Sequence, residues 1–308
     1  MLAPVNKAST RSLLGLLALP ILPLLPAALL FACGGGNENL PPPPPPPPPL
    51  ATTAEPPVAS AVPSATVATP PPPPPAPVTL TQGTASPDPA PPLPTVKILS
   101  PAREQVLPAA TAGDTVVKLD VKNWQTATGS SHIHLILDGK PYKPIFDPKL
   151  PVKLSELPGG DILTEGQHIL VAFPSRPNHE SVKTAGAVTI NEFWVGKKGP
   201  KSQDIGKAML IYSRPKGEYK ADMANHVIVD FQLANDKLAP GGDHVHLSVT
   251  GPGIEGEKAA DVSQLGAPFY LDNLVDGSYT VKLDLLGADG KAVPGSWNST
   301  TRTITIAH

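Results

Sequence analysis

The chain has 308 residues, a formal net charge of −2 and one cysteine, Cys33. No Lys/Arg block stands out and aromatic residues are few, which argues against nucleic acid as a partner, because phosphate needs clustered cations and bases need stacking platforms. A single cysteine excludes an internal disulfide and a zinc site built on cysteines.

In chain order, the first predicted element is an export signal. Lys7 and Arg11 precede an almost wholly apolar run from Ser12 to Phe31, which ends in Leu30-Phe31-Ala32-Cys33-Gly34. This layout is that of a signal peptide over residues 1–33, and its end resembles a bacterial lipobox, with Phe31 a departure from the usual smaller residue. The resemblance implies cleavage before Cys33 and lipidation of its thiol. An uncleaved membrane anchor is the other reading, but Pro20, Pro23 and Pro26 favour a transient signal. Gly34 after the cysteine points to the outer membrane under enterobacterial sorting. The expected localisation is therefore the bacterial cell envelope, facing the periplasm or the surface, with the membrane as partner through the lipid.

Residues 34–94 are expected to be a disordered proline-rich tether. Positions 41–94 hold 24 of the 43 prolines, and proline supplies no backbone donor for ladders or helices. Polyproline runs are stiff, rising about 3.1 Å per residue, so the physical role is a spacer. A docking site for SH3-like domains is the alternative, and it conflicts with export.

From residue 95 onward no long helical period appears. Short alternating apolar runs recur between Gly, Pro, Asn and Asp, as a β-sandwich requires. The expected strands are 95–100, 115–122, 132–138, 142–146, 151–155, 167–173 and 188–195, then 208–213, 226–233, 244–250, 268–272, 278–286 and 301–306. The second set repeats the first: His132-Ile133-His134-Leu135 matches His244-Val245-His246-Leu247, and Val117, Leu119 and Val121 match Val229, Phe231 and Leu233. One order of strands written twice is a duplicated domain. The fold class is thus all-β, with two tandem immunoglobulin-like sandwiches over 95–197 and 203–308. Tyr279, after Asp276-Gly277-Ser278, resembles the tyrosine corner of such sandwiches. His168 occupies the matching slot in the first domain and is read, like Tyr279, as structural.

The chemistry candidates follow from the alternation. Side chains on a strand alternate with period two, so His132 and His134 share the face opposite Ile133, Leu135 and Leu137. If the strand order is immunoglobulin-like, the loop after 167–173 brings His179 and Glu180 towards that pair. Three imidazoles and a carboxylate suffice for Zn or Cu. Two other readings stay open: a solvated histidine pair, and a hydrogen-bonded knot of Arg176, His179 and Glu180. His244 and His246 form a second candidate pair, without a histidine in the equivalent loop. No catalytic residues are assigned, since Gly-x-Ser-x-Gly, His-Glu-x-x-His and phosphate-binding glycine loops are all missing from the sequence.

The segments HIHLILDGKPYKPIFD, GQHILVAFPSRPNHESVK and LIYSRPKGEY resemble a group of exported bacterial proteins that carry the same strings in the same order. The likeness covers most of 95–233. It implies that the histidines of 132–134 and the His-Glu pair of 179–180 recur together, and it implies no particular activity. The favoured expectation is a lipid-anchored, non-enzymatic binding or structural module with a protein or envelope-polymer ligand. The alternative is a Zn- or Cu-binding protein, and a third reading is a hydrolase using a metal-activated water.

Overall fold

The structure is a computed structural model that describes residues 74–308. The signal peptide, Cys33 and the tether up to residue 73 lie outside the described residues. Among those described, no helix is long and apolar enough to cross a membrane. The described chain opens with β1 (Thr79–Gln82). The first sandwich comprises β2 (Thr95–Ser100), β3 (Val106–Leu107), β4 (Val116–Lys122), β5 (His132–Leu137), β6 (Lys143–Ile145), β7 (Val152–Lys153), β8 (Gly166–Ser175) and β9 (Thr189–Val195). The second comprises β10 (Met209–Arg214), β11 (Gly217–Lys220), β12 (His226–Ala234), β13 (His244–Thr250), β14 (Lys258–Val262), β15 (Phe269–Asp272), β16 (Gly277–Leu286) and β17 (Ser299–Ala307).

The two topologies are the same. The first sandwich pairs a β2-β4-β7 sheet with a β3-β9-β8-β5-β6 sheet; the second pairs β15-β12-β10 with β11-β17-β16-β13-β14. In each, a short strand runs parallel to the last one, β3 beside β9 and β11 beside β17. All other pairings are antiparallel. This is the immunoglobulin-like arrangement of two facing sheets with Greek-key connections. The inward rows make each core: Ile133, Leu135, Leu137, Leu170, Ala172 and Phe193 in the first sandwich, and Val245, Leu247, Val249, Val281, Leu283 and Leu285 in the second. Tyr279 is fully buried and its hydroxyl donates to the Pro252 carbonyl at 2.8 Å, with the Val275 carbonyl also within reach at 3.0 Å. It also accepts from the Val275 amide at 3.0 Å, so a phenol in an apolar core is fully satisfied.

A third apolar cluster lies between the sandwiches. Ile136, Tyr142, Ile169, Val171 and Phe173, on the outward face of the larger first sheet, pack on Met209, Ile211, Ala234 and Trp297 of the second domain. Polar ties cross the same seam. Lys183 donates to the Asp230 carboxylate at 2.5 Å, Gln232 to the Val182 carbonyl at 2.6 Å, and Lys216 to the Tyr142 carbonyl at 2.9 Å. Both faces of β5 are therefore covered, and all six of its residues are buried. This corrects the expectation of a solvated histidine face: the second sandwich takes the place of water.

The disorder expected over 34–94 does not hold for the described end of that segment. Residues 78–86 contain no proline, so the backbone can donate to a ladder. β1 adds to the open edge of β15, with Thr79 opposite Asp272 and Gln82 opposite Phe269, and Val78 is buried in the second core.

Candidate metal centre

The antiparallel register of β5 and β8 sets His132 opposite Ser175 and His134 opposite Phe173. Strand β8 then runs into a tight turn. The His179 amide donates to the Arg176 carbonyl at 2.9 Å, and the Arg176 amide to the Glu180 carbonyl at 2.9 Å. His179 sits in the left-handed region, with φ 68°, a conformation that histidine adopts more readily than most residues. The turn folds its ring back over the start of β5. His134 Nε2 lies 3.0 Å from His132 Nε2, and His179 Nδ1 lies 3.1 Å from that same atom. Among the described residues this is the one group of three His, Cys, Asp or Glu side chains with ligand atoms converging within 4.8 Å.

The outer nitrogens are held too. His132 Nδ1 is 2.7 Å from the Ser130 carbonyl. A carbonyl only accepts, so this nitrogen carries the hydrogen and Nε2 presents a lone pair to the cluster. His134 Nδ1 is 3.0 Å from Ser213 Oγ, across the seam. Such contacts from the second ring nitrogen orient metal-binding imidazoles. His132 Nε2 accepts from one neighbouring nitrogen at a time, and the three nitrogens together offer lone pairs that could hold one cation.

The electrostatics keep the rings neutral. Burial lowers the pKa of His132 below 6.5, and the nearby Arg214 and Lys216 charges lower it further against the Ser130 hydrogen bond. His134 is fully enclosed and held well below 6.5 by burial first and by the charges of its neighbours second. His179 is lowered to about 3, again by burial and then Arg214. Neutral imidazole is the form that binds metal.

Glu180 does not join them. Only 3% exposed, it accepts from the Ser86 amide at 3.0 Å and from the Ser86 hydroxyl, and lies 3.6 Å from Arg176. Its place in the expected ligand set is corrected: after the turn at His179 the chain points Glu180 towards the segment before β2, where a buried carboxylate finds its donors. Arg176 and Glu180 do meet, but His179 is turned away from them. In the second sandwich His244 Nδ1 lies 3.1 Å from the Gly242 carbonyl, and His246 Nδ1 lies 2.7 Å from Asp261; no third ligand converges there among the described residues. His168 contacts Asp138 at 2.6 Å and the Thr164 carbonyl at 2.8 Å. Burial opposes its charge, but Asp138 and Thr164 outweigh it and raise its pKa above 6.5.

Two neighbours escaped the sequence reading. Tyr142 stacks on His134 with ring centroids 3.4 Å apart and planes at 11°, and its hydroxyl is 3.2 Å from His179 Nδ1. A signal for it existed. Asp138-Gly139-Lys140-Pro141 is a hairpin turn, and pairing Leu135 with Lys143 puts Tyr142 on the histidine face. Ser213 comes from the other domain, and no local pattern announces it.

No family model matches the chain, and no curated protein matches it. Solved structures do. Fibronectin(III)-like modules of Clostridium thermocellum CbhA are 13% identical over 69% of this chain and 94% of that one, with a TM-score of 0.23. The D00-D0 domain of intimin is 11% identical over 69% of this chain and 97% of that one, with a TM-score of 0.20. At those values the strand order described above, and not the likeness, carries the fold.

Proposed function

We propose that this chain is an exported, envelope-displayed pair of immunoglobulin-like domains that holds a transition-metal ion, Zn or Cu, at His132, His134 and His179. The observation that carries this reading is the convergence of three neutral imidazole nitrogens, two of them buried and oriented through their second ring nitrogen and the third, His179, half-buried at the rim. Isolated surface histidines do not need their inner lone pairs aimed at one another. Enclosure of His134 leaves the ion little open face for a substrate, which favours a binding and structural role over catalysis. The ion would stiffen the β8–β9 turn against β5 and, through Ser213, the second domain. The lipid-box-like end at Cys33 supports anchoring to the envelope, where the two domains would meet a protein or envelope-polymer ligand.

The test is metal analysis of the full chain purified in detergent, with Zn(II) or copper titrated into the metal-free protein. The expected result is one ion per chain and a raised melting temperature, both lost in His132→Ala plus His134→Ala. A wild-type chain that takes up no stoichiometric metal, and melts unchanged on its addition, would sink the metal reading. Anchoring is checked separately, by membrane retention that disappears in Cys33→Ser.

A further inference from the structure

We propose that the phenol oxygen of Tyr142 is the fourth, anionic ligand of this centre, which makes it a site for oxidised copper, Cu(II). The inference rests on the tri-histidine reading and adds the group that balances its charge. A divalent ion among three neutral imidazoles would stand beside two protein cations. Lys216 Nζ is 4.1 Å and the Arg214 guanidinium carbon 5.2 Å from the centroid of the Tyr142 ring. Charge so concentrated in a buried site is costly unless an anion is present.

Among the described residues no carboxylate belongs to the cluster. Glu180 is committed to Ser86 and Arg176, and Asp230 to Ser181 and Lys183. The acid that does reach one of the converging nitrogens is Tyr142. Its hydroxyl is 3.2 Å from His179 Nδ1, and its ring is locked by stacking on His134. On coordination the O–H bond breaks, the oxygen keeps the electron pair for the metal, and the proton passes to solvent. Arg214 and Lys216, unfavourable to a bare dication, then face a phenolate. The nitrogen spacing agrees. The two separations that involve His132 Nε2, 3.0 and 3.1 Å, subtend roughly 95° at an ion about 2.0–2.1 Å from each nitrogen, and those two angles are nearer the tetragonal geometry of Cu(II) than a tetrahedron.

The experiment adds Cu(II) to the metal-free full chain and records the visible spectrum. A phenolate-to-Cu(II) charge-transfer band is expected, absent in Tyr142→Phe. That variant should also bind Cu(II) at least tenfold more weakly while binding Cu(I) as the wild type does, since a monovalent ion needs no anionic ligand. Should Tyr142→Phe not fold, resonance Raman excited in the wild-type band serves instead: phenolate ring modes support the proposal, and their absence overturns it. Stoichiometric Cu(II) without the band overturns the tyrosine ligand and leaves the three imidazoles standing. Failure of Cu(II) and Zn(II) alike to bind overturns the underlying reading as well.

Discussion

The two His-x-His strands share a sequence pattern, a place in the sandwich and a register against the neighbouring strand, yet they have different surroundings. In β5 all six residues are buried, whereas in β13 the histidine row alternates half-buried with the buried core row. The face of β5 is roofed by the second domain and crossed by His179. Among the described residues the face of β13 has no such roof, and His246 settles on Asp261 with 31% of its side chain exposed. A motif on a strand thus fixes which way two imidazoles point, and only the element packed over them decides whether they become a site.

Breaking the roof should give the largest effect. Asp230 is buried and holds Lys183 and Ser181 of the first domain. Asp230→Ala leaves a largely buried ammonium without its partner, and should cost about 3–5 kcal/mol in chemical denaturation. The corresponding change beneath β13, Asp261→Ala, removes an exposed pair and should stay within about 0.5 kcal/mol. Next in size is the orienting contact: Ser213→Ala should weaken metal binding about 10–100-fold by titration, with little change in the fold. His246→Ala should leave metal affinity untouched, and equal losses from the two strands would erase the distinction drawn between them.

Acidity separates the histidines by sign. For His132, His134 and His179 the folded pKa lies below 6.5, so unfolding takes up protons. The stability of the metal-free protein should therefore fall as pH drops below 6.5, continuing towards about 3 for His179. His168 behaves oppositely: its folded pKa is raised, so its contribution is complete below 6.5 and fades as pH rises through the folded value. Denaturation midpoints across pH 4–8 for His179→Ala and His168→Ala should shift with opposite slopes. A small effect is expected from Glu180→Gln on metal affinity, under twofold, because the carboxylate faces Ser86.

Much of this was legible in the sequence. Alternation located the long strands, and the duplicated order of Val117, Leu119, Val121 and Val229, Phe231, Leu233 stated that one fold occurs twice. The strands that escaped are short or irregular: Val106–Leu107 beside a proline, Gly217–Lys220 and Lys258–Val262 with weak alternation, and Thr79–Gln82 embedded among prolines. For the site, the strand register delivered His132, His134 and His179. The error at Glu180 came from one residue of turn geometry, because adjacent side chains in a tight turn diverge. The buried seam was written in Ile169–Phe173, whose unbroken apolar run belongs to a strand covered on both faces. What covers it cannot be read from periodicity, since Met209, Ile211 and Ser213 belong to a strand of the other domain.

The four registered pairs between β1 and β15 have a mechanical consequence. Tension arriving from residues upstream of Pro74 does not reach β2 directly. It first loads an antiparallel ladder on the second sandwich, where hydrogen bonds share the pull, and then the grip of Glu180 on Ser86. The first sandwich, although nearer in sequence to the pull, is thereby loaded after the second, and a hydrodynamic tug would peel Thr79–Gln82 and the neighbouring Val78 from the second sandwich before it reached β2.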